Sequence, residues 1–391
     1  MRSESYLYLI PVLTYILVSL TVAKKPASEA PNRFVQLDGL RGFLALGVVV
    51  CHAHTWFFYG KDGQFIERGI ALDVQLGRVP VALFFAITSF LFINNLLRSP
   101  DPSWRRYVIG RLFRLIPVFA AVGVIAIGLV HFRNNGILRV SLHDFSYGSL
   151  TWLTACLFST PLNLDVGEPS NRIIAGVDWT LRHEWLFYLT LPFIGFLLSK
   201  KRTLRYFKWV IVTIGVIVVT ARPILFSVTN LQFIPGAVVA VIYHYRRAWM
   251  ERWVTHRAFG WVTLVSFVTI LVMHWSQWML LPITMMLGCT IVNHRLTSIL
   301  SFRGFQYLGQ QTYSIYLTHG LVMYIMFTHV TGREWLHNVS AYNYWVLMGG
   351  NMLLILGLSH VLHVFVELPA IELGRCIVLR TDSFGSFFKR K

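Results

Sequence analysis

Two residues eleven positions apart, Arg41 and His52, are the most chemically suggestive pair in this chain of 391 residues. On a helix, eleven steps return to within about 20° of the starting face and rise about 16 Å. The pair therefore sets a guanidinium near one end of an apolar segment and an imidazole deep inside it, on one face. Ionisable groups at such depth are costly and ordinarily face a cavity or a path. A neutral imidazole there can take a proton from a hydroxyl and return it to a leaving group, which is general acid–base catalysis. The competing assignments are an orientation-setting anchor for Arg41 and a hydrogen-bonded core residue for His52.

Other residues could join them. Arg111 and Arg114 lie three apart and share a helical face. Two guanidiniums presented together suit a phosphate-rich ligand through forked hydrogen bonds, and equally suit anionic lipid headgroups. Asp38 can cap the helix that carries Arg41 and His52. Glu184 is expected at the outer end of its apolar run, close to Trp179 and His183. Its carboxylate can orient a sugar hydroxyl or a histidine, or pair with Arg182 or another basic residue. Tyr313, Tyr316 and His319 follow at intervals of three along one face of a later apolar run, as an acceptor route or as ordinary packing. His244, His274 and His363 sit near the ends of apolar runs and read as interfacial. Cys51, Cys156, Cys289 and Cys376 form no CxxC pair, so neither a disulfide framework nor a metal site is expected.

The elements that must position these groups are membrane helices. Hydrophobic residues make up 55% of the chain and charged residues 13%, against about 25% charged in soluble domains. The fold class expected is all-α: a polytopic transmembrane helical bundle of ten or eleven spans. Apolar runs place them at 5–23, 40–59, 79–97, 116–131, 185–198, 208–221, 229–244, 258–273, 277–292, 312–331 and 343–366. Spans of about 20 residues each leave no room for a large soluble domain. Segment 150–158 is too short to cross and reads as interfacial or re-entrant. Segment 5–23 reads as a retained helix rather than a cleaved signal, because Lys24 and Lys25 follow its apolar run.

The net charge of +18 does not imply a nucleic-acid partner, since no basic stretch belongs to a soluble module. With the N-terminus outside, the inner loops hold about 2.5 times as many Lys and Arg as the outer segments. That predicts a multi-pass protein of the inner (plasma) membrane, with a cytoplasmic C-terminus and the 132–184 loop outside. Three regions follow: an N-terminal helix and linker (1–34), a membrane domain (35–375) and a basic cytoplasmic tail (376–391).

Arg41, ten intervening residues and His52 form the Arg-X10-His signature of the acyltransferase-3 family of membrane O-acyltransferases, which this chain resembles. GRVPVALFFAITSFLF (77–92), YVIGRLFRLIP (107–117), VDWTLRHEWLFYLTLP (177–192), LGQQTYSIYLTHGLV (308–322) and FVELPAIEL (365–373) resemble further family segments, in family order. Ser89 stands where the family commonly has Gly, a small residue that still permits close helix contact. The resemblance implies acyl transfer from acyl-CoA, a co-substrate rather than a bound cofactor, to a hydroxyl of a glycan or lipid-linked glycan.

On that reading Arg41, Arg111 and Arg114 hold the CoA phosphates, and His52 with Glu184 performs catalysis. Asp38, Trp179, Tyr313, Tyr316 and His319 are the substrate-binding candidates. Direct transfer and an acyl-histidine intermediate both stay open. The chain ends at Lys391, soon after the last expected span, so no fused extracytoplasmic domain is expected. A multi-span transporter or channel is the competing class, although the repeat symmetry usual in transporters is not evident.

Overall fold

The computed structural model describes residues 7–22, 34–67, 71–99, 102–135, 137, 140–155, 169–198, 227–272 and 279–388. These are helical, with no strand among the described residues. The helices are α1 (Leu9–Val22), α2 (Val35–Asp62), α3 (Ala71–Arg98), α4 (Trp104–Arg133), α5 (Leu142–Leu153), α6 (Asp178–Leu198), α7 (Ile234–Tyr245) and α8 (Arg247–Val254). They continue as α9 (Arg257–Val272), α10 (Leu280–Ile291), α11 (Arg303–Gln310), α12 (Thr312–Ile325), α13 (Gly332–Asn338), α14 (Ala341–Leu362) and α15 (Leu368–Phe388).

The chain is thus an all-helical membrane bundle. The helices α2, α3 and α4, and the run from Ala341 to Arg380, are long and apolar enough to cross a bilayer. The pair α8 and α9, bent by 76°, is a broken fifth span or a re-entrant loop. Ten or eleven such spans are expected from the sequence, and the difference has physical causes. Among the described residues α1 and α10 comprise 14 and 12 residues, fewer than the about 20 that a bilayer core requires. The run at 312–331 forms α12 and the π turn Met326–Val330 that continues it, and its Tyr, Thr, Ser and His residues dilute its apolar character. The run at 229–244 opens with a 3-10 turn, Val228–Phe233, before α7. The expected span at 208–221 lies outside the described residues.

At the centre stands α2, buried along most of its length and packed on α3, α11 and α12. Its contact with α11 is backbone to backbone. A Cβ built on Gly309 would lie 1.7 Å from the Asp38 carbonyl oxygen, and one on Gly42 would lie 2.5 Å from that of Phe305. From α1, the Tyr15 hydroxyl donates to the Gly42 carbonyl at 2.6 Å. These contacts fix the depth and rotation of the helix that carries Arg41 and His52. On α3, Ser89 is fully buried, as a close helix contact requires.

Two expectations change here. Asp38 is not a helix cap, because α2 opens three residues earlier with Phe34 at the N-cap and no side-chain cap. Its carboxylate sits in the first turn, where it still complements the helix dipole. Segment 150–158 is not a separate interfacial element as far as it is described. Leu150 to Leu153 end α5, whose Trp152 is fully buried against Phe119 of α4, ring centroids 5.9 Å apart.

Candidate active site

Two chambers open along α2. The first, of about 80 Å³, is lined by Arg41, Phe85 and Thr88, by Thr180 and Glu184 of α6, and by Tyr313 and Tyr316 of α12. The second, of about 370 Å³, is lined by His52, Glu67, Arg78, Trp179, Gln232 and Tyr316. Val81 and Tyr316 belong to both linings and form the wall between them. The Tyr316 hydroxyl meets the Thr180 hydroxyl at 3.0 Å, and the Thr180 hydroxyl donates to the Val177 carbonyl at 2.9 Å. Tyr316 therefore donates to Thr180, tying α12 to the first turn of α6 at this wall.

Helical spacing explains who faces what. Thr180 and Glu184, four apart, share one face of α6 and reach the Arg41 chamber, whereas Trp179 turns into the His52 chamber. On α12, Thr312, Tyr313 and Tyr316 face the Arg41 chamber, and His319 follows one turn further along. The stripe predicted for Tyr313, Tyr316 and His319 is present, with the Tyr316 and His319 rings 6.0 Å apart. The Tyr313 hydroxyl donates to the Leu115 carbonyl of α4 at 2.8 Å.

His319 lines neither chamber. It is fully buried, and its Nε2 lies 3.2 Å from His52 Nδ1. His52 Nδ1 is also 3.0 Å from the Val48 carbonyl, and His319 Nδ1 is 3.2 Å from the Ile315 carbonyl. A carbonyl can only accept, so with both rings neutral each Nδ1 carries the proton. His319 Nε2 is then a lone pair accepting from His52 Nδ1–H, and His52 Nε2 is left as the basic nitrogen. A base whose tautomer is fixed by the group behind it is a recurring catalytic arrangement. His54, two residues on, turns away from this site: its Nε2 is 3.4 Å from Asp73 of α3.

The basic groups divide. Arg41 lines its chamber, and its Nε is buried with no hydrogen-bond partner among the described residues. Arg111 and Arg114 do not line it. The Arg111 guanidinium lies over the Phe92 ring at 4.7 Å and the Tyr188 ring at 5.8 Å. Arg114 lies within electrostatic range of Arg41, Arg111 and Glu367. Glu184 faces this cationic group, with Arg111, Arg114 and Arg41 all in range, and its Oε1 is 3.5 Å from the Thr88 hydroxyl. It is thus the counter-charge of the arginines rather than a partner of His52. Because α6 starts at Asp178 and not at 185, Glu184 lies nearly two turns inside the helix. Asp38 lines neither chamber.

Several residues of the site were not singled out from the sequence. Glu67 and Arg78, 3.1 Å apart, and Gln232 lie just outside the expected apolar runs or in a 3-10 turn. A charge beside the outer end of a span, as in GRVP, was the available signal for Arg78. Glu367, in the quoted FVELP segment, is buried in the π turn His363–Glu367. It accepts from Ser314 at 2.9 Å and pairs with His363 Nδ1 at 2.8 Å, so His363 is buried and bonded rather than interfacial. His244 is exposed, and His274 lies outside the described residues.

The fold and this pair of chambers define an all-helical membrane protein with a cavity lined by Arg41 and Glu184 beside a cavity lined by His52. The chain belongs to the family whose model is described as an acyltransferase domain, matched over residues 34–364. It is similar to acyltransferase MdmB of Streptomyces mycarofaciens, 29% identical over 184 residues, 45% of this chain and 43% of the relative. It is also similar to nodulation protein 10 of Rhizobium leguminosarum bv. viciae, 26% identical over 162 residues, 40% and 43% of the two chains. In both comparisons the chain spans less than half the length of the relative. No solved structure matches significantly.

Proposed function

We propose that the protein is a membrane-bound O-acyltransferase of the inner membrane. It moves an acyl group, in the simplest case acetyl, from acyl-CoA to a hydroxyl of a cell-surface glycan such as lipopolysaccharide O-antigen or exopolysaccharide. One observation carries this reading: a cavity lined by Arg41, whose buried Nε has no partner among the described residues, abuts, across Tyr316, a cavity with a tautomer-fixed histidine. Acyl transfer needs such a division. A charged donor must dock away from the base, and its thioester must reach the base out of bulk water.

The CoA phosphates engage Arg41 from the cytoplasmic side, and the pantetheine arm extends along α2. The rise of about 16 Å between Arg41 and His52 is of the order that arm spans. Arg111 and Arg114 add positive potential behind Arg41, and Glu184 limits it. In the direct route, His52 Nε2 takes the acceptor hydroxyl proton while the oxygen attacks the thioester carbonyl. The carbon–sulfur bond then breaks, and the proton passes to the departing thiolate.

The test is acetyl transfer from radiolabelled acetyl-CoA to membrane glycan by purified, reconstituted protein. His52→Ala, with unfolding temperature and elution volume matched to wild type, should lower the rate about 100-fold or more. Full activity of that variant, or no consumption of acyl-CoA by the wild-type protein, would falsify the proposal.

A further inference from the structure

Resting on the acyltransferase reading, we infer that the His52 chamber is a subsite for a neutral sugar ring. Trp179 is its stacking face, and Gln232 with the Glu67–Arg78 pair reads its hydroxyls. The volume of about 370 Å³ falls within the roughly 300–1,000 Å³ of small-molecule sites.

The chemistry of the wall selects the ligand. Trp179 keeps 42% of its surface exposed while Phe85 and His183 hold it edge-to-face, at centroid distances of 6.5 and 5.8 Å. An indole held in place beside a cavity presents a negative ring face, which attracts the partly positive C–H face of a pyranose. Gln232 Oε1 is buried and has no hydrogen-bond partner among the described residues. A buried acceptor without a donor is costly, and a sugar hydroxyl or acetamido N–H supplies the donor.

Charge favours the neutral sugar over the anionic one. Arg78 is the cation of this lining, and Glu67 already engages it at 3.1 Å. An anionic sugar would meet the Glu67 carboxylate and would have to share with it the one guanidinium of this lining, which is discrimination by repulsion. A neutral sugar instead finds donors and acceptors side by side, suited to adjacent hydroxyls. With the ring on Trp179, one hydroxyl is left to face His52, which lines the same chamber.

Saturation-transfer NMR on the full-length protein in amphipol, where no sugar-headed detergent competes, tests this without any acyl donor. Maltotriose and triacetylchitotriose serve as neutral probes, and trigalacturonate as the anionic one. At least one neutral sugar should receive saturation. Trp179→Ala and Gln232→Leu, each with unfolding temperature matched to wild type, should cut that signal at least fivefold. Gln232→Glu, which keeps an acceptor oxygen, should retain most of it. No transfer to either neutral sugar, equal or stronger transfer to trigalacturonate, or signals indifferent to both substitutions would each overturn the subsite. Because binding is read without chemistry, sugar binding in a protein that never consumes acyl-CoA would sink only the acyltransferase reading.

Discussion

At the residue scale, the basicity available to the acceptor depends on which nitrogen of His52 holds its proton. Two acceptors compete for His52 Nδ1–H, the Val48 carbonyl at 3.0 Å and His319 Nε2 at 3.2 Å. The first belongs to the same helix and tolerates ring rotation. The second comes from α12 and fixes the ring against a separate element. Removing it should leave the tautomer biased but the ring loose, so the cost falls on the chemical step. His319→Ala is expected to lower kcat about 10- to 100-fold, the usual range for a partner that orients a functional histidine. The KM for acyl-CoA should stay near wild type, because His319 lies outside the Arg41 chamber. His319→Gln keeps an acceptor oxygen and should recover much of the loss. Steady-state kinetics on the three proteins decide the matter. Unchanged kcat in His319→Ala, or a rise in acyl-CoA KM alone, removes His319 from a positioning role.

At the element scale, α2 can hold Arg41 and His52 in register only if α11 approaches without side chains in between. Gly309→Ala would press a methyl group into the Asp38 carbonyl, where backbone rather than a flexible side chain must yield. Overpacking of this kind costs about 1–3 kcal/mol, and thermal unfolding should register it as a lowered midpoint. Gly350→Ala is the contrast: it lies within α14, and a Cβ there meets nothing within 4 Å. Relief of glycine's backbone entropy should then raise stability by about 0.5–1 kcal/mol. Equal midpoints for the two variants would contradict the close-contact account.

The same contrast separates what the sequence discloses from what it hides. Arg41 and His52 are legible because they share one helix, where spacing alone fixes the face. The Tyr313, Tyr316 and His319 stripe is legible for the same reason. The His52–His319 contact joins positions 267 residues apart, which periodicity within a segment cannot disclose. Glu184 is misplaced by the apolar pattern because polar residues from Asp178 onward conceal the true start of α6. Glu67 and Gln232 lie outside the long helices, where pattern carries no positional information.

At the scale of the whole molecule, the two chambers make functional sense only in one orientation. The geometry ties the end of α2 to the start of α14: Lys61 Nζ donates to the carbonyls of His337 and Val339 at 2.6 and 2.8 Å, and the Tyr344 hydroxyl donates to that of Ala53 at 2.6 Å. From Ala341 the helical run continues to Arg380. Cys376 therefore lies about 50 Å of helix from Ala341, well beyond a bilayer core about 30 Å thick. Asp62 and Cys376 must then emerge on opposite faces of the membrane, and basic residues predict Cys376 on the cytoplasmic one. Cys376 is a free, exposed thiol, whereas Cys51 and Cys289 are buried. A membrane-impermeant maleimide applied to spheroplasts should spare Cys376 and label it in inverted vesicles, with Cys156→Ser present in both. Asp62→Cys in a Cys376→Ser, Cys156→Ser background should show the reverse. Labelling of both sites from one side would break the antiparallel relation of α2 and α14. Full inversion of the pattern would turn the Arg41 chamber away from the cytoplasm, out of reach of acyl-CoA, and the proposed direction of transfer would fail with it.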